Sequence, residues 1–247
     1  ETQLSVERTL FHSELRLASA SNFNDPFDMR GVFTQATEPA VQREECFRLS
    51  RMFNPNLTEP QRTIEVERMQ NSLTPGRIEG STQLMQMLCN QIFTTTVGVL
   101  CLSETSEETL MWSHYADCHE GICLEFDGMF ELMAEAQPVL YAESRPLIDV
   151  HADNHQVQLQ KYFLTKAKRW EYEQEWRVIR PSGVGLVTFP PEMLTGIIIG
   201  ARASRSTLET VVSWWRECPQ PITLYRASPS RTEFKLDILP LQGVKKF

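Results

Sequence analysis

The spacing of apolar residues changes at Val97 and divides the chain into two parts. Over residues 38–96 apolar side chains recur at the period of one face of an α-helix. Beyond Val97 they come in short runs rich in Val, Ile, Leu, Phe and Tyr, which is typical of strands. The chain is therefore predicted to have a helical N-terminal third followed by a mixed sheet.

Proline and glycine refine this pattern. The stretch "LSVERTLFHSELRLA", residues 4–18, carries apolar residues at roughly helical spacing and predicts a helix, and Pro26 prevents that helix from continuing. Thr58 with Pro60 just inside predicts another helix start. Pro75-Gly76 predicts a loop.

The apolar runs after Val97 define the predicted fold class. The predicted strands are "VGVLCLSE", "GICLEFDG", "PVLYAE", "EWRVIRP", "TGIIIGA", "PITLYRAS" and "FKLDILPL". Helices are predicted between them at about 129–136, 153–167 and 206–218. We therefore predict an α+β fold with a mixed, largely antiparallel sheet preceded by a helical N-terminal segment. Residues 1–247 are predicted to form one domain, with 38–96 as a helical segment or insertion.

Composition adds limits on compartment and partners. A hydrophobic content of 41% and a charged content of 23% are those of a folded protein. The net charge of −8 makes nucleic acid an unexpected partner, although it does not exclude a local basic groove. No apolar run approaches the roughly 20 residues of a membrane span, and no secretory signal is visible, so a cytoplasmic protein without a membrane partner is expected. The chain begins at Glu1 without methionine, so we expect that an N-terminal piece has been removed.

Cysteine and histidine spacing argues against a metal site. The chain has 6 cysteines and no CxxC pair, which favours reduced, mostly buried thiols. His114 and His119 are five residues apart and do not share a helix face, unlike a zinc-binding pair at i, i+4. No metal is predicted.

A first candidate cluster is Asn24-Asp25-Pro26-Phe27. Asn and Asp side chains accept hydrogen bonds from their own backbone and proline fixes the bend, so a plain turn is one interpretation. The other is a loop that presents Asn24 and Asp25 to a ligand.

The second cluster lies in "LMWSHYADCHEGICLEFDG", residues 110–128. One or two helical turns are expected at its start, with Trp112 and Tyr115 as near neighbours on one side. His114 and Tyr115 then lie just before a buried strand, a common position for active-site groups. The alternative is that Trp112 and Tyr115 are core aromatics and that His114 is a buried imidazole with its hydrogen bonds satisfied.

The third cluster is "KAKRWEYEQEWRVIRP", residues 166–181. Its three glutamates occupy every second position from Glu171 to Glu175, which predicts that they share one strand face. Their available counter-charges are Lys166, Lys168, Arg169 and Arg177. A solvated strand face beside basic residues would explain the charges alone, but three neighbouring aromatics favour a site.

Together these motifs resemble the DUF2971 family of uncharacterised bacterial proteins. "FNDPF", "CLSE", "LMWSHYADCHEGICLEF", "VLYA" and "EYEQEWR" carry the resemblance, which runs from about Leu15 to Gly200. No motif is identified in the helical block 38–96. The resemblance brings no defined activity, but it implies a cytosolic protein of bacterial or phage-related origin with a role in phage defence or as a toxin.

The stretch "EYEQEWRVIRP" also resembles the carboxylate motif of ADP-ribosyltransferases. The resemblance implies NAD as substrate and Glu175, followed by Glu173, as the most critical carboxylates. Ser103 or Tyr115 would supply the hydroxyl of the middle strand. The chain departs from that family in having no clear Arg or His on a first strand, unless His12 or Arg16 serves.

These motifs define the predicted site. The catalytic candidates are Glu175, Glu173, His114 and Tyr115. The ligand-binding candidates are Asn24, Asp25, Trp112, Lys166 and Arg177. All are expected to meet in one pocket for a nucleotide such as NAD, without a metal. A non-catalytic module that binds a nucleotide, a peptide or a protein partner is the first alternative. A nuclease with a metal among Asp25, Glu173, Glu175 and Lys166 is the second.

Overall fold

A computed structural model of the chain describes residues 2–34, 39–73, 75–149 and 153–245. The fold is α+β, as predicted. The chain forms two compact units. Unit 1 comprises Glu1–Ser19, Thr96–Val139 and Arg169–Phe247, and unit 2 comprises Ala20–Thr95 and Leu140–Lys168. That residues 1–247 act as one domain stays a prediction.

The regular elements follow in chain order. The helices are α1 (Thr2–His12), α2 (Pro39–Phe53), α3 (Glu59–Ser72), α4 (Pro75–Thr96), α5 (Thr109–Tyr115), α6 (Glu131–Ala134), α7 (His155–Phe163) and α8 (Arg205–Glu217). The strands are β1 (Glu14–Ser19), β2 (Val32–Thr34), β3 (Gly98–Ser103), β4 (Ile122–Phe126), β5 (Gln137–Pro138), β6 (Leu140–Ala142), β7 (Leu147–Asp149), β8 (Thr165–Ala167), β9 (Glu175–Arg180), β10 (Gly185–Thr188), β11 (Leu194–Ile199), β12 (Thr223–Pro229) and β13 (Leu236–Pro240). Short 3-10 segments lie at Ala20–Asn22, Lys168–Glu173 and Pro191–Met193.

Unit 1 contains two sheets. The five-stranded sheet has the order β10-β1-β3-β9-β5, and the four-stranded sheet has the order β13-β12-β11-β4. Every pair is antiparallel except β11 with β12, so the predicted mixed, largely antiparallel arrangement is confirmed. The apolar core takes side chains from both sheets and from α8, among them Leu100, Val178, Ile197 and Val211.

The helix predicted over residues 4–18 is confirmed only as far as His12 and is wrong beyond it. The helix expected over residues 4–18 ends at His12, and Ser13 has a φ of 53°, which turns the chain into strand β1. Leu15 and Leu17 then point inward on alternate positions of β1, while Arg16 between them is exposed. Their spacing of two residues belongs to the strand period, which a short window does not separate from a helix.

Unit 2 holds the helical block and two parallel strand pairs, β2 with β7 and β6 with β8. Thr58 begins α3 as predicted, and its backbone N–H donates to the Gln61 side chain at 3.0 Å. The buried Arg62 of α3 donates to the Ser50 hydroxyl of α2 at 3.1 Å, which joins the two helices. Pro75-Gly76 is not a loop but the first turn of α4. Proline is tolerated there because the backbone N–H that it lacks would have no partner within the helix.

In the described part of the chain, no helix is long and apolar enough to cross a membrane.

A left-handed turn joins α5 to β4. Asp117, Cys118 and His119 have φ values of 47°, 52° and 72°, which is costly for residues with a Cβ. The turn is held from both sides, because the His119 N–H donates to the Trp112 carbonyl at 3.2 Å and the Arg202 N–H donates to the His119 carbonyl at 3.0 Å. Gly200 lies against it, and its N–H donates to the Gly121 carbonyl at 2.9 Å.

We expect Gly200→Ala to destabilise unit 1. An added Cβ would lie 2.2 Å from the His119 carbonyl oxygen, which is backbone and cannot move away as a side chain would. Overpacking of this kind costs about 1–3 kcal/mol in the free energy of unfolding, measurable by urea denaturation. Gly128→Ala is the control, because a Cβ there meets nothing within 4 Å. Equal stability of the two variants would contradict the tight packing of the turn.

Candidate functional site

The three glutamates of the third cluster do not share a strand face, so that expectation is wrong. Glu171 and Glu173 belong to the 3-10 segment Lys168–Glu173, whereas Glu175 is the first residue of β9. Gln174 between them has a φ of 45°, and a left-handed residue breaks the alternation that a continuous strand would give. Glu171 is exposed, while Glu173 and Glu175 are buried.

Glu175 and Arg177 form a buried ion pair at the start of β9. The Arg177 Nε donates to Glu175 Oε1 at 2.7 Å, and a terminal guanidinium nitrogen donates to Oε2 at 3.0 Å. Arg177 is 0% exposed and Glu175 is 5% exposed. The two side chains point to the same strand face because they are two residues apart, as the sequence predicts. A fork of two charge-assisted bonds fixes both groups in direction.

Glu173 is joined to Tyr115 across a long stretch of chain. The Tyr115 hydroxyl donates to Glu173 Oε1 at 2.8 Å, and the Ser103 hydroxyl donates to the Glu173 carbonyl at 2.7 Å. Glu173 is 2% exposed, whereas Tyr115 is 53% exposed. The exposed phenol therefore reaches inward to a buried carboxylate, while Ser103 at the end of β3 fixes the backbone that carries it.

A chain of neighbouring aromatic rings extends from Tyr115. The His114 ring lies edge-on to Trp170 with centroids 5.8 Å apart, and 6.1 Å from Tyr115. Trp170 is in turn 6.0 Å from Tyr172. His114 and Tyr115 are exposed, and Trp170 and Tyr172 are half-buried. We call these four residues with Glu173 the aromatic corner; its chemistry is that of flat, electron-rich faces beside a carboxylate.

Trp112 takes another position. It is buried in a small core with Ala116, Ile198 and Leu236, and its indole N–H donates to the Ser106 carbonyl at 2.7 Å. This arrangement favours the packing alternative for Trp112. It also ties the start of α5 to the loop that follows β3.

The remaining predicted ligand-binding residues lie in unit 2. Asp25 accepts a hydrogen bond from the Phe27 N–H at 2.9 Å, which is the turn chemistry of the first alternative, and Asn24 beside it is exposed. Lys166 is buried, with its Nζ 3.7 Å from the equally buried carboxylate of Asp28. Nothing in the local sequence marks Asp28 as the partner of a lysine so far along the chain. The convergence of these residues with the aromatic corner stays a prediction.

A cleft of about 700 Å³ opens in unit 1. Its apolar wall includes Leu102, Leu124, Phe126 and Trp176, and its polar rim is Ser103 to Ser106. Trp176 alternates with Glu175 along β9, so the two lie on opposite faces of the strand. The cleft has the size and apolar lining of a small-molecule site.

All six thiols are free, but Cys101 and Cys118 are exposed, so "mostly buried" holds only for the other four, which are buried or half-buried. Among the described residues, no three His, Cys, Asp or Glu side chains group closely enough to hold a metal ion.

Part of the chain matches a known family model. Residues 111–178 match the family model described as "Protein of unknown function (DUF2971)", which confirms the resemblance over those residues. The matched range contains Tyr115, Glu173, Glu175 and Arg177. No curated protein and no solved structure matches the chain.

Breaking the buried Glu175–Arg177 pair should destabilise the fold more than breaking a surface ion pair. Arg177→Met leaves a buried carboxylate without its fork and is expected to lower the free energy of unfolding by about 3–5 kcal/mol. Adding Glu175→Gln to that variant should restore part of the loss, because the uncompensated charge is then gone. Urea denaturation of the two single variants and the double variant measures this coupling. Additive losses would show that the pair is not a unit.

Cys123 supplies a test by pH. Burial, together with the nearby Glu125 carboxylate, raises the pKa of this thiol from 9.0 to about 11. The folded protein therefore favours the protonated thiol more than the unfolded chain does. The stability that this preference contributes is fully present below pH 9 and is lost as the pH rises through about 11. We therefore expect iodoacetamide to alkylate Cys123 slowly until the pH nears 11, as followed by mass spectrometry of peptides. The exposed Cys118 is the internal control, and equal labelling of both at pH 8 would contradict the burial of Cys123.

Proposed function

We propose that this chain, which carries the DUF2971 signature over residues 111–178, cleaves or transfers the ADP-ribosyl group of NAD at the aromatic corner. The observation that supports the proposal most is the hydrogen bond of 2.8 Å between the half-exposed Tyr115 and the buried Glu173 carboxylate. It places a carboxylate of fixed direction behind an accessible aromatic surface.

The surface suits the nicotinamide end of NAD. The nicotinamide ring of the oxidised cofactor is flat and positively charged, and such cations are attracted to the faces of aromatic rings. Trp170, Tyr172, Tyr115 and His114 offer such rings within contact of one another. The Glu173 carboxylate adds a negative charge, and burial strengthens its attraction for a nearby cation.

The proposed reaction breaks the bond between the nicotinamide nitrogen and the anomeric carbon of the ribose. The bonding electron pair leaves with nicotinamide and neutralises its ring, and positive charge develops on the ribose. A carboxylate aimed at that charge lowers the barrier electrostatically. Water, or an acceptor group, then attacks the anomeric carbon and loses a proton, which gives ADP-ribose or an ADP-ribosylated product.

The residues of unit 1 divide this work. Glu173 stabilises the developing charge. Tyr115 positions the Glu173 carboxylate, and Ser103 holds the Glu173 backbone. Glu175, with both carboxylate oxygens on Arg177, fixes the first residues of β9. Asn24, Asp25 and Lys166 stay predicted ligand-binding residues. The cellular role implied by the resemblance, phage defence or toxicity in a bacterial cytoplasm, belongs to the same proposal.

A second candidate function is a non-catalytic binding module. The cleft of about 700 Å³ favours it, because that cleft could hold a small ligand without help from the aromatic corner. In that case the hydrogen bond between Tyr115 and Glu173 would be structural. The two candidates differ in turnover.

Release of nicotinamide from NAD by the purified protein, followed by liquid chromatography, tests the proposal. Glu173→Gln keeps the shape of the side chain and removes its charge, and should lower the rate by about a hundredfold or more. Tyr115→Phe removes one hydrogen bond to a charged group and should lower it by about tenfold to a hundredfold. Glu171→Gln, in the same 3-10 segment but exposed, is the matched control and should keep the wild-type rate.

Calorimetric binding of NAD to the same variants separates the candidates. Tight binding of NAD without release of nicotinamide would support the binding module and overturn the enzyme. Full turnover by Glu173→Gln would overturn the role of this carboxylate. Melting temperatures of all variants show whether a lost rate reflects lost folding.

A further inference from the structure

Helix α4 of unit 2 has two apolar faces. One face packs within its own unit, where Phe93 lies 4.9 Å from Tyr162 and 5.3 Å from Phe163 between ring centroids. Asn90 belongs to the same side, and its side-chain oxygen accepts from the Tyr162 hydroxyl at 2.8 Å. This contact fixes which side of α4 faces inward.

The opposite face is exposed. Leu84, Leu88 and Ile92 follow one another at intervals of four residues, so they form one row along the helix. Met85 and Met87 flank this row, and all five side chains are between 43% and 58% exposed. Five half-exposed side chains of this size present on the order of a few hundred Å² of apolar surface, the upper end of what the surface of a monomer shows.

The same helix carries no charge over residues 80–96, "GSTQLMQMLCNQIFTTT". This is unusual on the exposed side of a chain whose net charge is −8. A helix face that stays exposed to solvent normally carries charged residues, which keep it soluble. The absence of charge here suits a face that packs against another protein surface.

We propose that the row Leu84, Leu88 and Ile92 is a dimer interface, occupied by α4 of a second copy of this chain. A twofold axis through the centre of the row brings Leu88 next to its own copy and pairs the other residues of the row with one another, so a row of one charge would face the same charge. A neutral row avoids that repulsion even between two chains of net charge −8. Gln91, exposed seven residues after Leu84 and therefore on the same face, carries an amide donor and an amide acceptor that suit a polar partner on a second copy.

Geometry and size set the kind of dimer. Rows at intervals of four residues interdigitate with an identical row when two helices cross at about −50°. One helix face buries less than the roughly 1,200 Å² of a standard stable interface, so the dimer should be reversible, with a dissociation constant on the order of micromolar.

Sedimentation velocity of the full chain between about 1 and 100 μM tests the proposal, since this range brackets a micromolar dissociation constant. The wild type should shift from monomer to dimer as its concentration rises. Leu88→Glu places like charges across the axis and should hold the protein monomeric throughout. Ile64→Glu is the matched control, because Ile64 is equally exposed on α3 of the same unit, and it should dimerise like the wild type.

A mixture supplies the decisive arm. Leu88→Glu and Leu88→Lys should each be monomeric alone but form a mixed dimer when combined, because opposite charges then face each other across the axis. Circular dichroism confirms that the variants keep their helical content. A wild type that stays monomeric at 100 μM, or a dimer that survives Leu88→Glu, would overturn the proposal. None of these outcomes depends on the aromatic corner.

Discussion

The buried fork between Arg177 and Glu175 is the interaction on which the architecture of unit 1 depends most. Strand β9 lies inside the five-stranded sheet, hydrogen-bonded to β3 on one side and to β5 on the other. The guanidinium is 0% exposed there, and a carboxylate two residues away neutralises it and accepts two of its hydrogen bonds. The pair costs desolvation energy, and in return it fixes where the strand begins and how its first side chains point.

From that fixed start the chain runs back into the aromatic corner. Gln174 at a φ of 45° turns the backbone by a left-handed step, and Ser103 of the neighbouring strand binds the carbonyl of Glu173. As a result two glutamates two residues apart have different partners: Glu175 is bound by Arg177, and Glu173 is bound by Tyr115. The proposed function rests on this division, with Glu175 supporting the strand and Glu173 as the proposed reacting carboxylate.

Unit 2 contributes a different kind of surface. Its helices α2 and α3 are joined by polar contacts through Arg62, while α4 uses one apolar face on Tyr162 and leaves the other exposed without charge. The aromatic corner and the neutral face of α4 lie in different units and rest on independent observations. A dimer through α4 would leave the corner's residues unchanged in chemistry, and would allow two copies of the site in one assembly.

Local pattern determined much of this protein. The strand runs, the helical block, the helix start at Thr58 and the shared face of Glu175 and Arg177 follow from periods of two and of three to four residues, which depend only on near neighbours. Partners far along the chain do not follow from such periods. The contact of Tyr115 with Glu173 spans 58 positions, and that of Lys166 with Asp28 also joins two residues far apart along the chain. The left-handed turn at Gln174, the position of Leu15 and Leu17 in a strand instead of the predicted helix, and the burial of Trp112 also arise only when strands and helices pack. The period of a sequence pattern predicts the face of the helix or strand on which a side chain lies. Which element packs against that face depends on the tertiary structure.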